Sequence, residues 1–276
     1  MFAKQKKLWI EHKKLQNEIV NDAWKSFTSD MENIVTDYGE IWSNFLRTRV
    51  IQHTMYVCSG GDFLEKELQF VKNYFPMEIA IEPTVGNPVL FNGFSHNTIH
   101  HLYHIARYAK NFGLEKFKSN KSFVEWGGGY GNFARLTKKI NQDCTYTIID
   151  LPILNIIQYR YLSSVFGEDK VNIVSENEQP TAGKINLVSS SWFEKCDINA
   201  DFFISTWALS ESPILMQDKI NNKNWFNTTG GLFAMHTLPA PALFGDESIN
   251  LSKLLEVNGY KKEMSGIQEN QAYLIK

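Results

Sequence analysis

Residues 124–136 read VEWGGGYGNFARL, and the reading of this stretch decides the fold. A short apolar run ending at Trp126 has strand character. It breaks at three consecutive glycines, Gly127 to Gly129; a fourth, Gly131, follows Tyr130, and a helical segment comes next. Glycine permits a tight turn and removes the Cβ that would block a closely approaching ligand. The helix start offers unpaired backbone N–H groups, and Gly131 lets that helix pack closely on a sheet. Strand, glycine turn and helix together predict a nucleotide-like binding loop.

The rhythm continues downstream. CTYTIID (144–150), KVNIVSE (170–176), KINLVSSSWF (184–193), ADFFISTWALSE (200–211), GGLFAMHT (230–237) and NQAYLIK (270–276) read as strands. LPILNIIQYRYLSSVF (151–166), with Pro152 in its first turn, SPILMQDKINN (212–222) and LSKLLEVNGYKKEMSG (251–266) read as helices. The alternation predicts a mostly parallel α/β sheet with helices on both faces and its ligand edge at the strands' C-terminal ends.

The chain before this unit is helical in pattern. From Lys4 to Arg49 apolar residues recur at three- and four-residue spacing without a proline. A second helix follows the Gly60-Gly61 break, with Asp62 as its N-cap and Glu65 three residues on. Residues 75–93, with three prolines and two glycines, form a linker. A third helix starts at Ser95 or Asn97 and stops at Gly113. The expected division is a helical cap or oligomerisation region, 1–94, and a cofactor-binding domain, 95–276. The apolar stripe of the first region suits packing within one chain, over the active site, as well as packing between two chains in a homodimer, and by itself does not distinguish them.

Composition narrows the classes. A net charge of −2, from 28 basic and 30 acidic side chains, speaks against a general nucleic-acid binder. Three scattered cysteines, without a CxxC pair, speak against a disulfide scaffold or cysteine zinc site. The start, MFAKQKKLWIEHKK, lacks a signal peptide's apolar core, and no apolar run reaches membrane-span length. A cytoplasmic protein without a transmembrane segment is expected.

The loop's spacing identifies a ligand class. The order is GxGxG rather than the GxGxxG of dinucleotide sites, and GxxxxGK[ST] is absent. Glu125 stands two residues before Gly127, and Asp150 ends the next strand, 19 residues after Gly131. A carboxylate there accepts ribose hydroxyls. Two acids suit a ligand with a cationic centre, a free amino group and one ribose better than a pyrophosphate. S-adenosylmethionine meets that description.

The segment resembles the glycine motif of class I S-adenosylmethionine-dependent methyltransferases. Together with TIIDLPILNIIQYRYLSS (147–164) and DFFISTWALSESP (201–213), it resembles the sugar O-methyltransferases of bacterial surface-polysaccharide loci, over residues 95 to 276. The resemblance implies a Rossmann-like sheet and methyl transfer to a sugar hydroxyl in polysaccharide or nucleotide-sugar biosynthesis. It implies that Gly127, Gly128, Gly129 and Tyr130 pass the methionine part and that Glu125 holds water or the amino group. Asp150 would bind the ribose, Leu151 would lie beside the adenine, and Ser191 or Trp192 would flank its ring. Thr206 falls on the cofactor side. The ordinary rivals are a core role for Trp192, helix capping for Asp150 and a loop-holding role for Glu125.

O-methylation needs a hydroxyl aligned with the donor and a general base or metal to take its proton. Glu211, after the ADFFISTWALSE strand, and His236, at the end of the next, are catalytic candidates; their rivals are helix-end charge compensation and a buried hydrogen-bonded histidine. His96, His100 and His104 share one helix face at four-residue spacing. A plain histidine stripe is the rival to His100 as base and His96 and His104 as sugar ligands. Arg107 is a candidate for an activated sugar's phosphate and Trp207 for stacking on a sugar ring. His101 points elsewhere in this reading, and TLPAPALFG (237–245) covers the substrate. No metal is expected, since HExxH and an acidic cluster are absent. A different enzyme on this scaffold, or a non-catalytic binding member, stays open at this point.

Overall fold

The computed structural model describes residues 2–14, 20–56, 61–91, 93–236, 245–267 and 271–276. Among these residues eight strands form one sheet in the order β3-β4-β2-β1-β5-β6-β8-β7. They are β1 (Ser122–Trp126), β2 (Thr145–Asp150), β3 (Val171–Val174), β4 (Ile185–Ser189), β5 (Phe202–Thr206), β6 (Gly230–His236), β7 (Lys261–Met264) and β8 (Gln271–Ile275). The first six run parallel, and β8 inserts antiparallel between β6 and β7. This is a Rossmann-like, mostly parallel sheet with helices on both faces and a helical region before it. Its central strands are buried at nearly every position, as a sheet covered on both faces requires.

Eleven α-helices occur among the described residues: α1 (Phe2–Lys14), α2 (Asp22–Thr36), α3 (Glu40–Ser43), α4 (Arg49–Met55), α5 (Gly61–Val71), α6 (His96–Phe112), α7 (Leu114–Lys118), α8 (Asn132–Ile140), α9 (Pro152–Phe166), α10 (Ile214–Asn222) and α11 (Gly245–Val257). The expected Lys4–Arg49 helix is broken. Asp37 is extended, and its carboxylate accepts from the Gly39 and Trp42 N–H groups, which ends α2 and starts α3. The helix expected over 251–266 stops sooner: Gly259 takes φ 85°, and the chain turns into β7. Helix α5 starts at Gly61, which places Asp62 inside it rather than at its cap; the Asp62 side chain lies outside the described residues. Ser95 does cap α6, its Oγ accepting from the Thr98 N–H at 3.1 Å, and Gly113 ends that helix.

The helices before Ser95 pack directly on the sheet unit. Arg160 of α9 donates to the Ile34 and Asp37 carbonyls, and its guanidinium lies 3.8 Å from the Trp42 ring centroid. Arg135 of α8, fully buried, pairs with Glu82 at 3.3 Å and donates to the Ile81 carbonyl, fixing the 75–93 segment against the sheet helices. Glu82 also accepts from the Ser95 hydroxyl.

Candidate active site

Strand order reverses between β1 and β5, so the loops after these strands diverge and leave a crevice at the C-terminal edge. A cleft of about 400 Å³ lies there. Its floor is the β1–α8 loop, its sides the ends of β2 and β4 and the loop after β5. Its cover comes from α2, α4 and the first turns of α6.

Gly127, Gly128, Gly129 and Tyr130 line this cleft. Gly127 and Gly129 have φ of 76° and 57°, which side chains rarely adopt. At Gly127 the need for glycine also comes from protein packing: a Cβ there would stand 2.0 Å from the Ala208 Cβ. The β1 and β5 loops therefore touch through the missing side chain. The Tyr130 ring is buried and stacks on Tyr56 of the α4 end, 6.0 Å between centroids.

Asp150 is 6% exposed at the end of β2. Its Oδ1 accepts from the Leu151 N–H at 2.8 Å and its Oδ2 from Gln158 Nε2 at 2.7 Å. Burial raises its carboxyl to about 7, against the pull of these hydrogen bonds and those from the Gly128 and Gly129 N–H groups. Glu125 lies below the loop and accepts from the Tyr146 hydroxyl at 2.9 Å. Burial raises it to about 8, the Tyr146 bond opposing and the neighbouring Asp150 charge adding. Both acids border the cleft, as do Leu151 and Thr206.

The loop after β5 is strained. Trp207 takes φ 72°, held by its N–H to the Ala234 carbonyl at 2.8 Å. Glu211 lies on the cleft wall, where Trp24 Nε1 donates to its Oε2 at 3.1 Å and Asn21 Nδ2 donates to its carbonyl at 2.7 Å. Two N-terminal residues thus fix the orientation of a sheet-loop acid.

The histidine helix divides its side chains differently from the four-residue rule. His100 and His101 reach the cleft. His100 Nδ1 lies 2.8 Å from Glu67 Oε1 on α5, both side chains fully buried, and its ring is parallel to Trp207 at 6.4 Å. Its Nε2 is buried without a hydrogen-bond partner. His101 meets Asn132 through Nδ1 at 3.1 Å, and burial lowers it to about 3, so the ring is neutral.

Five expected residues lie outside the cleft lining. His104 is turned to the Tyr273 hydroxyl at 2.8 Å, one helical turn too far along. His96 sits beside Phe91, with ring centroids 6.2 Å apart. Arg107 pairs with Glu263 at 3.0 Å. Trp192 is a core residue whose Nε1 donates to the Val174 carbonyl, and Ser190 rather than Ser191 borders the cleft, its Oγ lacking a partner. His236 closes β6; its side chain lies outside the described residues, as does the 237–244 segment expected to cover the substrate. Trp24, Asn21, His53, Tyr56, Asn97 and Glu67 have no local sequence signature, because helix packing alone brings them to the site. Among the described residues no group of three or more histidine, cysteine or acidic side chains is placed to hold a metal ion, and no helix is long and apolar enough to cross a membrane.

No family model and no curated protein matches the chain. Among solved structures it is similar to PigF with SAH, at 13% identity and a TM-score of 0.40, over 77% of this chain and 64% of that one. It is similar to the mitomycin 7-O-methyltransferase MmcR, at 11% identity and 0.43, over 92% and 75%. It is also similar to the magnesium protoporphyrin IX methyltransferase ChlM from Synechocystis PCC 6803 with bound SAM, at 9% and 0.47, over 90% and 95%. The chain thus spans less than two thirds of PigF's length. At such distances the strand order carries the fold.

Proposed function

We propose that the protein transfers a methyl group from S-adenosylmethionine to a hydroxyl of a sugar, in surface-polysaccharide or nucleotide-sugar biosynthesis. The observation that carries this reading is the pair of buried acids, Glu125 and Asp150, flanking a glycine turn at the switch point of a doubly wound sheet. The residues present fit that cofactor. Asp150 offers carboxylate lone pairs to vicinal ribose hydroxyls, and the unpartnered Ser190 Oγ stands on the same side of the cleft. Glu125 and the N-terminal end of α8 meet the amino-acid part, the one through charge and the other through unpaired N–H groups. When bound, the cofactor supplies an electrophilic methyl carbon on a sulfonium.

The chain's own residues bind, orient and exclude water. Trp207 and Glu211, on the loop after β5, bound the space beside the glycine turn. The N-terminal helices close it from above through Asn21, Trp24 and Tyr56. Calorimetric titration with S-adenosylhomocysteine, beside NAD, tests the reading. Binding is expected at micromolar concentration and is expected to be lost in a folded Asp150→Ala variant. A protein freed of carried-over ligand that binds NAD and not S-adenosylhomocysteine would sink it.

A further inference from the structure

Resting on that reading, we propose that the part of the cleft bounded by Trp24, His53, His100, Trp207 and Glu211 is an acceptor subsite for an uncharged glycoside. Its hydroxyl is deprotonated by His100, which Glu67 positions.

Three observations meet here. The first is the Glu67–His100 pair. A carboxylate only accepts, so the 2.8 Å contact to the Glu67 carboxylate puts a proton on His100 Nδ1, and in the neutral ring the lone pair is then on Nε2. That Nε2 is buried, has no hydrogen-bond partner and belongs to a ring that lines the cleft. A buried acceptor of this kind is satisfied by a ligand's O–H. The second observation is the ring geometry. Trp207 lies parallel to His100 at 6.4 Å, and its indole is positioned by a strained backbone, so an aromatic surface stands next to the basic nitrogen. A sugar's C–H face packs on such a surface while its hydroxyls point to the rim.

The third observation is charge. The formally charged side chains among the described lining residues are Glu125, Asp150 and Glu211, all carboxylates. The segments outside the described residues carry neither lysine nor arginine. Phosphate recognition uses arginine forks, lysines or helix N-termini. The N-terminus of α8 is already assigned to the cofactor. Glu211, oriented by Trp24 and Asn21, instead accepts from a neutral polyol and repels a diphosphate. In the reaction the acceptor oxygen forms its bond to the methyl carbon as the carbon–sulfur bond breaks. That electron pair stays on sulfur, which becomes a neutral thioether, and the hydroxyl proton passes to His100 Nε2.

The test uses the full chain saturated with S-adenosylhomocysteine. Methyl glycosides of common hexoses and 6-deoxyhexoses are titrated against it beside the matching UDP-, GDP- and dTDP-sugars, and the same compounds are offered with radiolabelled S-adenosylmethionine. At least one methyl glycoside is expected to bind and be methylated, at least tenfold better than any nucleotide sugar. Glu67→Gln is expected to leave S-adenosylhomocysteine and glycoside affinity within twofold and to lower kcat at least tenfold, with KM unchanged. His100→Gln repeats the kcat loss should Glu67→Gln fail to fold. Nucleotide sugars binding equally well would overturn the proposal, as would unchanged kcat in both variants. So would a protein that binds S-adenosylhomocysteine and none of these glycosides. Failure to bind S-adenosylhomocysteine refutes instead the cofactor reading on which the proposal rests.

Discussion

Gln158 ties the glycine turn to the acid at the end of β2: its Nε2 donates to Asp150 Oδ2 at 2.7 Å and to the Gly129 carbonyl at 2.9 Å. Asn155, one turn back on α9, donates to the same amide's oxygen and fixes its orientation. The amide therefore holds the Asp150 carboxylate against the glycine turn. Gln158→Ala removes three hydrogen bonds, one of them to a carboxylate and one accepted from Asn155. Each is worth about 1–2 kcal/mol. We expect S-adenosylhomocysteine affinity to fall roughly 10-fold, since 1.4 kcal/mol is a factor of ten. Titration calorimetry checks it; unchanged affinity would mean that the seat is held by backbone alone.

The two raised acids give stability and binding opposite pH dependences. Asp150 and Glu125 sit at about 7 and about 8 in the folded chain, above the ordinary carboxylate range. The folded state therefore holds protons that the unfolded chain has lost. Stability from these groups is complete below the usual carboxylate range and is lost as pH rises through 7 and 8, at up to about 1.4 kcal/mol per pH unit for each group. Ligand binding prefers the ionised forms, so affinity rises over the same interval, with protons released. Thermal melts of ligand-free protein are expected to fall from pH 5 to pH 8, and Asp150→Asn is expected to flatten that fall. A wild-type melt that rises from pH 5 to pH 8 would contradict this.

Gly127 can be separated into its two causes. Alanine there meets the left-handed backbone cost, about 1–2 kcal/mol, and a contact of 2.0 Å with the Ala208 Cβ. Gly127→Ala is expected to lower the melting temperature by several degrees and to weaken cofactor binding. Adding Ala208→Gly is expected to restore part of the loss, because it removes the contact and leaves the backbone cost. A double-mutant cycle in denaturant measures the coupling. Strict additivity would show that the loops do not press on one another here.

These residues also show how much the sequence disclosed. The glycine turn, Asp150 and the Pro152 helix are local features: a strand end, a turn and a helix start fix them within a few residues. The histidine stripe was legible as a helix face, and of its three members only His100 borders the cleft. Four residues advance a helix by about 6 Å, so His104 passes beyond the cleft that His100 enters, and His101 reaches it from the side. SSSWF failed by one residue. Strand β4 ends at Ser189, leaving Ser190 at the cleft, and the following turn sends Trp192 into the core. Glu67 and Trp24 were illegible because their roles depend on how α5 and α2 cross the sheet unit.

Trp24 offers the cleanest separation of acceptor side from cofactor side. Its Nε1 donates to Glu211 Oε2 at 3.1 Å across 187 residues of sequence, while Glu125 and Asp150 are held by other partners. Trp24→Phe keeps an aromatic ring and deletes that N–H. Losing one partly buried hydrogen bond costs about 1 kcal/mol of stability. Because Asn21 still holds the Glu211 carbonyl, the loop stays in place and the carboxylate loses one hydrogen bond. Cofactor affinity is therefore expected to stay within twofold, whereas KM for the methylated glycoside rises roughly fivefold, with a smaller change in kcat. Paired calorimetry and initial-rate measurements read the two sides independently. Equal losses on both sides would mean that the N-terminal helices shape the cleft as a whole rather than its acceptor half.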